Sequence, residues 1–159
     1  MERVHVERDG DRPSIARADV FHRLSKPLGT DHLAVNYVEL DPGSQLGWDY
    51  HRHLDQEEVF FVTAGTVTFE TEEGDQVLGP GELIRFEPGE FQLAKNRGDE
   101  RATMLALGAP RGSRELEYLR ECPACETETI QTLEFDRDRA VFEVFCDECD
   151  EQVTEIEPS

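Results

Sequence analysis

From Asp31 to about Pro110, short apolar runs alternate with polar positions and are cut by Gly and Pro. His32–Leu40 reads as one strand, ended by Asp41-Pro42-Gly43. Glu58–Val62 and Thr66–Glu70 read as a hairpin around Thr63-Ala64-Gly65. Gln76–Leu78 and Leu83–Phe86 flank Gly79-Pro80-Gly81, and Ala102–Leu107 closes the series. Strands at this spacing, with turn signals between them, predict an all-β sandwich or small barrel. Residues 14–24 fit a short helix or a further strand, and the pattern does not choose. Gly108–Ser113 reads as a linker and Arg114–Arg120 as a short connecting helix.

Beyond that linker the composition changes. Residues 120–159 hold thirteen acidic side chains against Arg120, Arg137 and Arg139, which is half of the chain's net charge of −20. The expected division is a β-barrel domain over 1–112 and a small module over 120–159. That module contains all four cysteines, as Cys122-Pro123-Ala124-Cys125 and Cys146-Asp147-Glu148-Cys149. Two Cys-x-x-Cys pairs twenty residues apart suit a four-thiolate zinc site, each pair forming a knuckle that turns both sulfurs toward one ion. Thr129–Phe135 and Ala140–Phe145 form the hairpin that returns the second knuckle to the first. Forty residues provide little core, so the metal supplies folding free energy. Two disulfides or a redox pair are the alternatives. Disulfides suit a secreted chain, and the N-terminus has no signal-peptide pattern. The module resembles zinc ribbons over Arg120–Ile156. Four thiolates would leave zinc no open position, so the resemblance implies a structural or protein-contact role.

The barrel segment holds His51-Arg52-His53 and, after four residues, Glu58. Residues i and i+2 of a strand share a face, so the two imidazoles can converge on one point. Glu58 opens the next strand, on the face of Phe60 and Val62, and in an antiparallel hairpin returns to that point. Two imidazoles and a carboxylate form a metal site with open positions. Two surface histidines on an acidic strand are the alternative.

The surrounding residues resemble the cupin superfamily over about Leu33–Leu107. Its first motif pairs His-x-His with a Glu and then a Gly, matched by His51, His53, Glu58 and Gly65. Gly43 stands two residues further from His51 than that motif has it. The second motif is represented by Gly81, Pro88-Gly89 and Asn96, with Gln92 where the family places its third histidine. The resemblance implies a double-stranded β-helix, or jelly-roll, barrel and a divalent metal, iron, manganese, nickel, copper or zinc, at His51, His53 and Glu58. Gln92 then has three readings: a neutral fourth ligand, a hydrogen-bonding neighbour of a metal-bound water or substrate, or part of a small-molecule pocket. Trp48, Tyr50, Tyr37 and Arg85 are weaker candidates for the pocket wall. His5, His22 and His32 lack partners at ligand spacing.

Charge bears on solvent more than on substrate. Thirty-six acidic residues face sixteen basic ones, of which only Lys26 and Lys95 are lysines, and the pI is near 4.5. This acid-rich, lysine-poor balance resembles proteins of halophilic-archaeal type, whose self-repulsion molar salt screens. It disfavours a nucleic-acid partner, because phosphate affinity comes mainly from Lys and Arg. No apolar run approaches the roughly 18 residues of a membrane span, so the expected location is cytoplasmic. Three functions fit. The first is a metal-dependent enzyme acting on a small oxygenated molecule, dioxygenase- or isomerase-like. The second is a non-catalytic small-molecule or metal sensor. The third is a protein-interaction module that uses the ribbon. A second copy of the chain is an allowed partner.

Overall fold

A computed structural model describes residues 1–10, 17–113 and 115–157, with 53% of the chain in strands and 5% in helix. Two one-turn helices, α1 (Val6–Asp9) and α2 (Ser25–Leu28), flank the first strand, β1 (Val20–Arg23). Residues 14–16 lie outside the described residues; the remainder of 14–24 supplies β1. The barrel strands follow as β2 (Ala34–Leu40), β3 (Gln45–His53), β4 (Glu57–Ala64), β5 (Val67–Thr71), β6 (Gln76–Leu78), β7 (Leu83–Phe86), β8 (Gln92–Lys95) and β9 (Ala102–Ala109). The C-terminal strands are β10 (Leu116–Cys122), β11 (Thr127–Asp136), β12 (Val141–Cys146) and β13 (Gln152–Ile156).

The strands form two antiparallel sheets, ordered β1-β2-β9-β4-β7 and β13-β12-β11-β10-β3-β8-β5-β6. Alternation fixes which residues lie between them. In β9, Ala102, Met104 and Ala106 are buried while Thr103, Leu105 and Leu107 are less so. Val38, Leu40, Phe60, Val62, Phe86 and Met104 from the first sheet meet Val67, Phe69, Leu78 and Ala94 from the second. Phe60, Phe69 and Phe86 sit 5.0–6.0 Å apart by ring centroid in tilted and edge-on contacts, the arrangements aromatic quadrupoles favour. Asn96, 1% exposed, donates Nδ2–H to the Leu40 and Glu100 carbonyls and accepts from Gly98 N–H, so it closes a turn.

Two expected local structures are corrected. Glu58–Val62 and Thr66–Glu70 do not pair as a hairpin: β4 lies in the first sheet and β5 in the second. The connection crosses between sheets at Gly65, whose φ is +66° and where a Cβ would stand 2.6 Å from the Arg101 carbonyl oxygen. Only glycine meets both conditions. The segment expected as a connecting helix is a strand. Arg114 lies outside the described residues, and β10 pairs with β3 on one side and β11 on the other. Register places Leu116 opposite His53 and Tyr118 opposite His51. Arg52–Glu117 and Arg120–Asp49 ion pairs, at 2.6 and 3.0 Å, reinforce the β3–β10 seam. Among the described residues no helix is long and apolar enough to cross a membrane.

Candidate metal centres

His51 and His53 do share one face of β3, as period-two alternation requires. Their rings stand 5.4 Å apart and nearly perpendicular. Glu58 does not reach them through a hairpin, because β3 and β4 belong to different sheets. It approaches across the interior of the sandwich, on the same face of β4 as Phe60 and Val62. The ligand-capable atoms of His51, His53 and Glu58 all lie within 4.8 Å of one another. His53 Nε2 is 3.6 Å from Glu58 Oε1. Gln92 of β8 is opposite His51 in register, and its side-chain amide nitrogen lies 3.2 Å from His51 Nε2 and 3.1 Å from Glu58 Oε2. The site is therefore assembled from β3, β4 and β8, with both sheets contributing.

Neighbouring groups fix which ring nitrogen faces inward. His51 Nδ1 is 2.8 Å from the Asp49 carbonyl, a pure acceptor, so Nδ1 carries the proton and Nε2 presents its lone pair. His53 Nδ1 is 2.8 Å from Ser113 Oγ, whose own hydrogen goes to Asp55 Oδ1 at 2.6 Å. Nδ1 of His53 is thus the donor and its Nε2 is also free to bind. This orientation of imidazoles by outer hydrogen bonds is the usual support of a metal ligand.

Burial disfavours every charged form here. It lowers the His51 pKa, and with the neighbouring His51 ring it pulls His53 down to about 4. Burial pushes the Glu58 carboxyl up to about 7, with the Gln92 hydrogen bond opposing. At neutral pH both imidazoles are uncharged, so the His53–Glu58 contact is not an ion pair. Two inward lone pairs and a carboxylate meet a single amide donor group. A divalent cation fits that acceptor set and would relieve the carboxylate's desolvation.

These groups face a cavity of about 250 Å3, walled by Phe21, Leu46, Trp48, Phe60 and Tyr118. Trp48 reaches it although its parity differs from that of His51. The register of β3 on β8 shifts between Leu46 and His51, where Gly47 has φ +87°. Of the weaker candidates, Trp48 lines the cavity and the others do not. Tyr50 stacks on Phe91 at 5.2 Å, the Tyr37 hydroxyl donates to Glu39, and Arg85 is held outside by Glu57 and Glu87. Tyr118, whose ring is 5.7 Å from that of His51, and Ser113 and Asp55 went unnoticed in the sequence. Ser113 falls in the segment expected as a linker.

The four cysteines also converge, all sulfurs lying within 4.8 Å of one another. Cys122–Cys149 and Cys125–Cys146 are 3.8 and 3.9 Å apart, too far for disulfide bonds of about 2.05 Å. Tetrahedral zinc with Zn–S of about 2.3 Å would place sulfurs about 3.8 Å apart. The two knuckles repeat one geometry. Glu126 and Asp150, each just after a second cysteine, have φ of 54° and 56°, and each donates N–H to the carbonyl four residues back at 2.9 Å. The Thr129 hydroxyl, with the backbone amides of Glu148 and Cys149, holds the Cys146 thiol down to about 6. Hydrogen bonding with the Cys149 sulfur and desolvation push Cys125 up to about 12. Four sulfurs so close cannot all ionise without a cation among them.

Residues 36–108 match the family model described as Cupin domain. No curated protein matches the chain. Among solved structures, a sugar phosphate isomerase from the cupin superfamily of Silicibacter pomeroyi has 20% identity and a TM-score of 0.70, covering 96% of this chain and 99% of its own. A polyketide cyclase from Streptomyces resistomycificus has 22% identity and a TM-score of 0.61, covering 73% and 83%. A cupin protein from Bacteroides fragilis has 21% identity and a TM-score of 0.53, covering 61% and 81%. At such identities the likeness concerns the fold. Residues 36–108 thus resemble a cupin domain, and the chain has the cupin double-stranded β-helix fold.

Proposed function

We propose that the barrel is a metal-dependent enzyme site for a small oxygenated molecule, with a divalent metal on His51, His53 and Glu58. The observation that carries this reading is the convergence of two oriented Nε2 lone pairs and a buried carboxylate on a cavity of about 250 Å3. Isomerase and cyclase chemistry in proteins of this fold is consistent with it. When bound, the metal supplies Lewis acidity toward an oxygen of the substrate. The protein's part is positional. The Asp49 carbonyl and the Ser113–Asp55 pair hold the imidazoles, and Trp48, Phe60 and Tyr118 line the cavity beside the ligands and limit water there. The Gln92 amide can rotate to present its oxygen to the metal, or keep its N–H groups toward Glu58 and a substrate oxygen.

Zinc is proposed for the Cys122, Cys125, Cys146 and Cys149 cluster, as a closed ribbon site. Its place in the extended sheet favours a bracing role, with protein contact as the second use. The barrel has a competing use as a non-catalytic binding pocket, and Gln92 favours it: its amide stands where a third imidazole would be and contacts both His51 and Glu58. Elemental analysis of the protein purified without added metal decides between them. The enzyme reading expects about one zinc per chain in the ribbon and a second divalent metal that the double variant His51→Ala, His53→Ala loses. Equal metal content in the double variant and the wild type refutes the barrel site.

A further inference from the structure

We infer that the substrate of this site is a small phosphate monoester, its phosphate seated on Arg23, Lys26 and Arg111 at the mouth of the barrel. The inference rests on the metal-site reading for the ligand's other end. Next to the metal-site cavity lies a cleft of about 510 Å3. Both are lined by Phe21, Arg23, Asn36, His53 and Glu58, so they communicate. The cleft adds Lys26 and Arg111, and Glu58, buried at its base, is the one carboxylate among the described residues that line it.

That composition runs against the rest of the surface. Elsewhere the acid excess takes up many of the basic side chains: Arg52, Arg85, Lys95, Arg97, Arg101, Arg120 and Arg139 are each ion-paired, and Arg17 lies over the Trp48 ring. Among the described residues no carboxylate pairs with Arg23, Lys26 or Arg111. Arg111 is instead anchored by donating to the Thr30 carbonyl at 2.6 Å. The turn bearing Lys26 is also fixed, because Val35 N–H donates to Ser25 Oγ at 2.7 Å and Leu24 N–H to the Val35 carbonyl at 2.8 Å. Arg23 follows Phe21 at two residues on β1 and so faces the same cavity. Three exposed cations around one cleft, none paired with a carboxylate among the described residues, in a chain of net charge −20, favour an anion. Three rather than one suit a group of two charges. A phosphate monoester is close to dianionic at pH 7 and offers three acceptor oxygens, which the planar forks of Arg23 and Arg111 can share. One end of the molecule would meet the metal ligands and the other the cations, with Arg23 at the junction of the two cavities.

The test titrates inorganic phosphate, and separately acetate, into the full zinc-loaded chain at constant ionic strength, by calorimetry and 31P line broadening. The expected result is phosphate binding that weakens about tenfold or more in Arg23→Gln/Lys26→Gln and in Arg111→Gln. Arg23→Lys, which keeps the charge but not the fork, should bind phosphate more tightly than the glutamine variant and more weakly than the wild type. Full loss in Arg23→Lys would trace the effect to damaged folding and overturn the subsite. Phosphate affinity unchanged in the glutamine variants overturns it as well. Acetate binding as tightly as phosphate overturns the monoester assignment. His51→Ala/His53→Ala should still bind phosphate. If it loses phosphate while the glutamine variants keep it, the anion sits on the metal and the inference fails. Metal content measured on the same samples reports on the enzyme reading separately: a barrel without metal that still binds phosphate refutes that reading and leaves the subsite standing.

Discussion

At the scale of single residues, the site depends on a balance between a proton and a cation. Glu58 carries a carboxyl pushed up to about 7, whereas His53 is pulled down to about 4 and His51 is lowered too. Between pH 6 and 8 His53 is therefore already neutral and His51 is shifted the same way, so Glu58 is the group that must lose a proton to bind metal. With the Glu58 carboxyl at about 7, divalent metal binding should release close to one proton per site at pH 6 and little at pH 8. Metal affinity should rise with pH up to about 7 and flatten above it. Calorimetry in buffers of different ionisation enthalpy measures the count directly. A release of two protons at pH 6 would mean that the histidines titrate and that the burial argument is wrong. Gln92 tests the same balance from outside. Gln92→His should tighten divalent metal binding, because imidazole is the better donor for borderline metals. Gln92→Ala should cost less affinity than either His51→Ala or His53→Ala, and more of any ligand-dependent activity. Equilibrium competition with a chromogenic chelator ranks the four variants, and an unchanged Gln92→His places that side chain away from the metal. His51, His53, Glu58 and Gln92 were legible because ligand spacing is local. Ser113, Asp55 and Tyr118 were not, because their role comes from contacts 58–67 residues away along the chain.

At the scale of elements, alternation revealed most strands, but it left β1 undecided, β8 and β13 unread and β10 taken for a helix, and it did not show which strand pairs with which. A connection that crosses between sheets has the same polar, glycine-containing appearance as a hairpin turn. Gly65 shows why: its φ of +66° suits either, and only the approach of Arg101 and Ala102 makes it a crossing. The C-terminal strands illustrate the reverse. Their hairpin was readable from the sequence, whereas the docking of β10 on β3 was not, since a seven-residue apolar-polar run also fits a short helix. This docking has a consequence for function. β10 begins opposite His53, places Tyr118 against His51 and ends in Cys122. One strand thus connects the two candidate centres. Cys122→Ser/Cys125→Ser should abolish the ribbon zinc and melt β11–β13, whose fully buried aliphatic core is little more than Val144. The β1–β9 barrel should remain assembled on its own Phe60–Phe69–Phe86 core. Barrel metal should then bind more weakly, by a fewfold, as Tyr118 loosens from His51. Hydrogen exchange read strand by strand, with metal content on the same sample, checks both parts. Zinc that persists in the double serine variant, or native thiols found oxidised to disulfides, would remove the ribbon assignment.

For the whole molecule the governing quantity is charge. Thirty-six acidic groups face sixteen basic ones, and many of the described basic groups are already ion-paired with acids. Salt acts on this surface in two opposing ways. It weakens exposed ion pairs, each worth about 0–1 kcal/mol. It also screens the repulsion among the unpaired carboxylates, reducing the Debye length from about 10 Å at 0.1 M to about 3 Å at 1 M. Pair attraction acts over contact distances, where screening is weakest, and the repulsion is summed over the whole surface. Screening should therefore win, and the thermal midpoint should rise substantially between dilute buffer and molar KCl. The gain should not be uniform. Residues 120–159 carry −10 on a quarter of the chain, and a small core opposes that repulsion. As salt is withdrawn, the ribbon should open before the barrel and release its zinc while the barrel core still melts cooperatively. Differential scanning fluorimetry across a KCl series, with a zinc-responsive dye, separates the two events. A flat midpoint returns the charge to an ordinary acidic surface. Zinc lost only together with the barrel would mean that β10 joins the ribbon to the β3 sheet as one cooperative unit.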